Sequence, residues 1–188
     1  MKKTSIVFVI MISFLVWGCG PSRDKQADRI STLEKSLYSP DAANFSKQKA
    51  DSLLAMYLDF IGDHPDDSLS PVYLFKAANL SMNTGDGTQS LELFDRYLSR
   101  YPDKPKAPMC LFFKAFIYEN VRRDLEKARE SYLLFIEKYP NDDFAKDARM
   151  ALMNLGKTPD QLVREFEERN RADSIRRADS VANLRKKR

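Results

Sequence analysis

The sequence predicts an all-α fold built from tandem pairs of helices, and three features indicate it. Glycine is scarce, with 6 residues in 188, while charged residues make up 31% of the chain, a composition that favours helix over sheet. Pro65, Pro102 and Pro140 recur at similar intervals, each after histidine or tyrosine. Apolar residues on both sides of each proline follow the helical spacing of three and four residues. We therefore expect helix-turn-helix units that stack into a short solenoid.

Residues 1–18 have the features of a secretory signal peptide. Lys2 and Lys3 precede an apolar run over residues 6–16, and a small residue, Gly18, follows shortly after it. The run is shorter than the roughly 20 residues that a helix needs to cross a bilayer, so a permanent span is disfavoured. The alternative is an ordinary signal peptide or an uncut anchor.

The cysteine that directly follows Gly18 resembles the lipobox of bacterial lipoproteins. In that family the cysteine thiol is acylated, the signal is cut before it, and the new amino terminus is acylated too. The resemblance implies that Cys19 is the lipidated first residue of the mature chain. Because Gly20 follows it, and not aspartate, the resemblance also implies the outer membrane of a Gram-negative cell, with the protein on the periplasmic face.

Residues 19–40 are predicted to be a polar tether between the anchor and the body of the protein. Ile30, Leu33 and Leu37 have helical spacing within it. Both a weak helix and a flexible leash are therefore open for this stretch.

The body of the chain, residues 41–170, carries the repeat. An amphipathic segment precedes each proline, and the segments that follow the first two prolines are apolar nearly all round, so they must be buried between neighbours. The apolar residues before the prolines are Leu53, Leu54, Met56, Tyr57, Phe60 and Ile61, then Leu91, Leu93, Phe94, Tyr97 and Leu98, then Leu133, Leu134, Phe135, Ile136 and Tyr139.

The helix ends have recognisable boundary residues. Ser70-Pro71 predicts an N-cap followed by proline at the first helical position, and Thr158-Pro159-Asp160-Gln161 predicts a capping box. Residues 83–87 and 120–124 are expected to form the turns within two of the helix pairs.

The repeat resembles the tetratricopeptide pattern, in which the second helix carries a small residue and an aromatic residue and proline closes the unit. The matching residues are Ser90, Phe94 and Pro102 in one repeat and Ala128, Tyr132 and Pro140 in the next. The Tyr-Pro endings also resemble those of envelope lipoproteins of the BamD type and of the periplasmic protein CpoB. The resemblance covers about residues 42–170 and implies a scaffold that binds a protein or peptide partner.

The residue types do not indicate catalysis, a metal site or a cofactor. His64 is the only histidine, and we expect its ring to pack at a helix end, in the position that Tyr101 and Tyr139 hold in the other repeats. The sequence lacks the residues that a catalytic triad or a zinc site of the usual kind would need. Cys110 lies in an apolar segment and is expected to be a buried small hydrophobe. We therefore predict that the protein is not an enzyme.

Charge and motifs narrow the class of partner further. Without the signal peptide the chain has 29 basic and 27 acidic residues, which gives no reason to expect a nucleic-acid binder. No phosphate-binding loop or dinucleotide fingerprint occurs in the sequence, so no small-molecule substrate is evident. A protein or peptide partner is the remaining expectation, together with the membrane through the lipid on Cys19.

Partner contacts are expected from the first helix of each pair. The candidate residues are Tyr73, Lys76, Asn79, Lys114 and Tyr118. The leading hypothesis is a lipid-anchored periplasmic scaffold that binds proteins through this groove at the outer membrane. The alternatives are a BamD-like component of β-barrel protein assembly, an accessory or activator of cell-wall enzymes, and a structural spacer.

Residues 171–188 form a charged, basic tail that ends in Arg185-Lys186-Lys187-Arg188. One interpretation is a solvated helix that frays. The other is a contact with an anionic surface such as lipid headgroups or cell-wall polymer.

Overall fold

The computed structural model describes residues 22–39 and 46–186, which form helices and turns with no strand. The predicted signal peptide and Cys19, the predicted lipidation site, lie outside the described residues. The helices are α1 (Arg23–Leu37), α2 (Lys47–Asp63), α3 (Ser70–Asn83), α4 (Gly87–Arg100), α5 (Ala107–Ile117), α6 (Leu125–Lys138), α7 (Ala145–Asn154) and α8 (Pro159–Lys186), with a π-helical turn at Tyr118–Arg122. The prediction of an all-α fold of tandem helices is confirmed.

The chain divides into two compact units. Unit 1 ends at Ala107 and contains α1 to α4, and unit 2 begins at Pro108 and contains most of α5 and the helices after it. Each unit has its own buried apolar residues.

Helix α1 lies within the predicted tether, residues 19–40, for which the sequence allowed either a weak helix or a flexible leash. Ile30 and Leu37 are buried, so the helix has an apolar face that packs on the protein. Arg23 forms an ion pair with Asp67, with 3.0 Å between Nε and Oδ2. Residues 23–37 of the expected tether are therefore a packed helix of unit 1.

The three proline turns share one backbone geometry. The C-caps of helices α2, α4 and α6 are His64, Tyr101 and Tyr139, whose φ angles are −129°, −132° and −132°. Each of these rings packs on the aromatic side chain four residues earlier, with centroids 4.9, 5.5 and 5.7 Å apart. The prediction that His64 packs at a helix end as the two tyrosines do is confirmed. The helix stops there because a residue before proline is disfavoured in the α conformation.

Aspartate side chains begin the second helix of two pairs. The carboxylate of Asp86 accepts a hydrogen bond from the backbone N–H of Gln89 at 2.9 Å, and that of Asp124 accepts one from Lys127 at 3.1 Å. A carboxylate at this position satisfies an N–H that has no partner within the helix and interacts favourably with the helix dipole.

Two further helix starts were predicted from the sequence. The capping box before α8 is confirmed, since the N–H of Thr158 donates to Gln161 Oε1 at 2.8 Å and the N–H of Gln161 donates to Thr158 Oγ1 at 3.3 Å. The prediction of Ser70 as N-cap of α3 is wrong by one residue. Leu69 is the N-cap, and the Ser70 hydroxyl donates to the carbonyl oxygen of His64, so it ties α3 to the preceding turn.

Unit 2 has an aromatic core around Phe112. The centroid of its ring lies 5.8 Å from that of Tyr132, 5.7 Å from that of Phe135 and 4.9 Å from that of Phe144. These contacts join α5, α6 and the start of α7. Cys110 is fully buried, which confirms its prediction as a small core residue.

Residues 171–186 of the charged tail belong to the second half of the long helix α8. Its side chains from Phe166 to Ser180 are all exposed. Among the described residues, no helix is both long enough and apolar enough to span a bilayer.

Candidate functional site

An open cleft of about 320 Å³ lies in unit 1, where α1, α2 and α3 meet. The residues that line it are Glu34, Tyr38, Tyr57, Phe75, Lys76 and Asn79. Two carry opposite charges, three are aromatic and one is an amide, a mixture that is typical of sites that bind amphipathic ligands.

The carboxylate of Glu34 is the polar centre of this cleft. Its Oε1 accepts a hydrogen bond from the Tyr57 hydroxyl at 2.6 Å and one from Lys76 Nζ at 2.7 Å. Burial and the hydrogen bond to Glu34 raise the pKa of Tyr57 above its ordinary range, so the phenol stays neutral and acts as a donor. The ammonium of Lys76 has two further protons and a partly exposed side chain, so it can also donate to a ligand.

Helix α3 presents its polar residues to the cleft because its other face is buried. Leu74, Ala77 and Ala78 are fully buried, whereas Lys76 and Asn79 are half-buried and three residues apart on one face. The amide Nδ2 of Asn79 donates to the carbonyl oxygen of Phe75 at 2.9 Å, which fixes the orientation of that amide.

The aromatic wall of the cleft is Phe75. Its ring makes edge-to-face contacts with Phe94 and Tyr97, with centroids 6.3 and 6.2 Å away, so α4 holds it in place. Lys106 Nζ lies 5.3 Å from the same ring centroid, a cation–π distance. Tyr38 has more than half of its surface exposed and is free to contact a ligand.

Of the predicted contact residues, the structure places Lys76 and Asn79 in the cleft. The assignment of Tyr73 to a groove surface is corrected, because its side chain is only 6% exposed. Its ring stacks on Tyr57 at 5.3 Å and meets Phe60 edge-on at 4.8 Å, so it is a core residue.

Lys114 and Tyr118 lie in unit 2, on α5 and in the π-helical turn. Both are half-buried. Lys127 Nζ lies 5.7 Å from the centroid of the Tyr118 ring, so part of that ring is covered by a cation of its own unit. The cleft itself is formed without these two residues.

Glu34, Tyr38 and Tyr57 line the cleft but were not predicted as site residues from the sequence. The helical spacing of Ile30 and Leu37 was a signal for α1, but nothing in it showed which helix α1 contacts. The hydrogen bond between Glu34 and Tyr57 joins residues 23 positions apart, a contact that exists only in the folded unit.

The structural repeat also matches a known family of helical repeats. A family model described as "Tetratricopeptide repeat" matches residues 73–104, within unit 1, and residues 111–142, within unit 2. The chain contains tetratricopeptide repeats. The first repeat provides Phe75, Lys76 and Asn79 to the cleft, while α1 and α2 lie outside both matched segments.

A curated relative belongs to the BamD type, whose repeats the Tyr-Pro endings resemble. The chain is similar to outer membrane protein assembly factor BamD of Pasteurella multocida (strain Pm70), with 27% identity over 171 residues. The match covers 80% of this chain and 64% of that protein, so the chain spans just under two thirds of the relative's length. The repeats and this likeness both relate the chain to helical-repeat proteins, and the likeness to BamD is one of sequence.

The described residues hold no group of three or more histidine, cysteine, aspartate or glutamate side chains that could bind a metal ion. The side chains that remain for chemistry in the cleft are a paired carboxylate, an ammonium, an amide and phenols. They can bind and orient a polypeptide through hydrogen bonds and ring contacts.

Proposed function

We propose that this protein is a lipid-anchored scaffold on the periplasmic face of the outer membrane that binds a segment of a partner protein in the unit 1 cleft. The observation that carries the proposal is the combination in one cleft of an exposed Tyr38, the ring of Phe75 and the polar groups of Lys76 and Asn79. Tetratricopeptide repeats bind peptides along surfaces of this kind, which supports the proposal.

The cleft suits a peptide that presents both an apolar side chain and a hydrogen-bond acceptor. Tyr38 and Phe75 offer ring faces of the kind enriched in protein interfaces. The protons of the Lys76 ammonium that Glu34 does not bind can donate to a backbone carbonyl or a carboxylate of the partner. Because Glu34 already pairs with Lys76, the cleft is close to electrically neutral and should select by shape and hydrogen bonding more than by charge.

The anchor is proposed to be the lipid on Cys19. Its support is the resemblance to a lipobox, together with the likeness to a relative whose name places it in outer-membrane protein assembly. Several acyl chains hold a protein on a membrane far more firmly than one chain does. Confinement to a membrane face raises the effective concentration of the cleft for partners on the same membrane.

Photocrosslinking in living cells tests the cleft. A photoreactive amino acid at Tyr38 or at Asn79 should capture the same protein, while the matched position Glu92, which is exposed on α4 of the same unit, should not. The variant Lys76→Ala should weaken both captures. If Tyr38 and Asn79 capture nothing, or the same set of proteins as Glu92, the cleft is not the binding site.

The anchor is tested separately by metabolic labelling with a palmitate analogue and by membrane fractionation. We expect label and outer-membrane location in the natural chain and neither in Cys19→Ala. A labelled Cys19→Ala variant, or an unlabelled natural chain, would contradict lipidation at this residue.

A second candidate function is a role in the assembly of outer-membrane β-barrel proteins. The observation that favours it is the 27% identity to the assembly factor BamD. Depletion of this protein should then lower the amounts of β-barrel proteins in the outer membrane. If those amounts stay unchanged while a partner is still captured at Tyr38, the scaffold proposal stands and the assembly role fails.

A further inference from the structure

The second half of α8 has an excess of basic residues that the packing of the repeats does not explain. Residues 169–188 contain eight basic and two acidic side chains, whereas the first ten residues of α8 contain one basic and four acidic ones. Every side chain from Phe166 to Ser180 is exposed, so the four arginines within this stretch are open to solvent.

Helix stabilisation accounts for only part of this distribution. The helix dipole acts on charges within the first and last turns, which covers Asp160 and the residues near Lys186. Arg169, Arg171 and Arg177 lie in the interior of the helix. Within the described part of the chain, Arg176 pairs with Asp173 at 2.9 Å, and none of the other three arginines forms an ion pair.

We propose that the basic half of α8 binds an anionic lipid surface through the phosphates of the headgroups. The ligand chemistry is phosphate, since guanidinium groups donate to phosphate oxygens in pairs. The proposal does not rest on the cleft in unit 1, because none of the residues that line the cleft belongs to α8.

The arrangement of the charges favours a lipid surface over a folded protein partner. At 100° per residue, Arg169, Arg176 and Arg177 lie within an arc of about 100° around the helix, so these three side chains can face one planar charged surface together, while Arg171 lies on the opposite side. Protein interfaces also need an apolar core, and Ile175 is the one large apolar side chain among the exposed residues 167–180. Basic clusters of this size near an anionic leaflet are typical of headgroup binding.

Such binding would provide a second attachment of the protein to a membrane, in addition to the proposed lipid on Cys19. Stable anchoring of lipidated proteins commonly combines acyl chains with a basic patch. The proposal does not require lipidation, and it is tested without it.

Vesicle co-sedimentation tests the proposal on a chain that begins at Gly20 and keeps every described residue. The probes are neutral phosphatidylcholine vesicles and vesicles with added phosphatidylglycerol. We expect binding to the anionic vesicles only. In about 0.5 M salt the binding should largely disappear, because the Debye length falls to a few ångströms.

Two variants that lose the same number of positive charges show whether binding depends on the tail or on the net charge of the whole protein. The tail variant changes Arg169, Arg171, Arg176 and Arg177 to Gln. The control variant changes Lys25, Arg96, Arg129 and Lys146 to Gln, four exposed residues on other helices. Because each basic residue near an anionic leaflet strengthens binding about fivefold, we expect the tail variant to bind at least about tenfold more weakly and the control to change little.

Circular dichroism checks that both variants keep their helices. Equal losses in the two variants, equal binding to neutral vesicles, or binding to an anionic polysaccharide with none to anionic vesicles would overturn the proposal.

Discussion

The hydroxyl of Tyr57 in α2 donates a hydrogen bond to the carboxylate of Glu34 in α1 at 2.6 Å. The same carboxylate oxygen accepts a hydrogen bond from Lys76 in α3. One acidic side chain therefore connects three helices at the floor of the candidate cleft. The geometry of the cleft consequently depends on α1, which lies outside the two matched repeats.

The Tyr57 phenol should make the protein sensitive to alkaline pH. Burial and then the hydrogen bond to Glu34 raise its pKa above the ordinary value of 10.0. A pKa raised in the folded state stabilises the fold below about pH 10 and loses that contribution as the pH rises further. We expect Tyr57→Phe to lower the free energy of unfolding by about 1 kcal/mol at neutral pH. Its stability should also decline less above about pH 10 than that of the natural chain.

Denaturant unfolding at about pH 8 and about pH 11 measures this difference. Tyr118→Phe is the control, since its half-exposed ring takes part in no hydrogen bond of this cluster. If Tyr57→Phe and the natural chain lose the same free energy of unfolding between the two pH values, ionisation of Tyr57 does not cause the loss of stability at alkaline pH.

The ion pair between Arg23 and Asp67 should make the stability of the protein sensitive to acid. The hydrogen bond from Arg23 and then that from the backbone N–H of Leu69 lower the pKa of Asp67 below its ordinary value of 3.8. A lowered pKa stabilises the fold above the unfolded-state value and loses that contribution as the pH falls below it. We therefore expect Asp67→Asn to be less stable at neutral pH and to lose less on acidification below about pH 4.

Asp142→Asn is a matched control for this prediction. Asp142 holds the equivalent turn position and accepts the N–H of Phe144 at 3.0 Å, as Asp67 accepts that of Leu69 at 2.8 Å. An asparagine oxygen can keep either backbone contact, so only Asp67→Asn loses an ion pair. Equal effects of the two substitutions on acid unfolding would show that the turn, and not Arg23, determines the stability.

The repeat turns could be predicted from the sequence because their cause is local. His64, Tyr101 and Tyr139 each precede proline, and the stop in each helix follows from that neighbour alone. The capping box at Thr158 and Gln161 is also set by residues three positions apart.

The cleft could be predicted only in part because its contacts are distant in the sequence. Arg23 and Asp67 are 44 positions apart, so the docking of α1 has no local signal. Tyr73 lies on a helix that is apolar nearly all round, where the pattern cannot tell the core face from an open face. The packing of Tyr73 on Tyr57 and Phe60 decides which face is buried.

The aromatic core of unit 2 should be sensitive to truncation at Phe135. This ring is fully buried against Phe112 and Tyr139, so Phe135→Ala leaves a cavity and should lower the free energy of unfolding by about 3–5 kcal/mol. Leu133→Ala, on the exposed side of the same helix, should change it by less than about 1 kcal/mol. Thermal or urea unfolding measures both. A small loss at Phe135 comparable with that at Leu133 would mean that the core relaxes to fill the space.

Gly62 and Gly85, both in unit 1, have room for a side chain but differ in backbone conformation, so substitutions there test the effect of conformation on stability. A Cβ atom would have no heavy atom within 4 Å at either Gly62 or Gly85, but Gly85 has φ of +87° whereas Gly62 lies in α2 outside the left-handed region. We expect Gly62→Ala to raise the free energy of unfolding by about 0.5 kcal/mol, because alanine loses less conformational entropy in a helix. Gly85→Ala should lower it by about 1–2 kcal/mol, because a side chain is disfavoured in the left-handed conformation. Urea unfolding of the two variants measures both changes. Effects of the same sign would mean that the turn at Gly85 adjusts to a conformation that alanine tolerates.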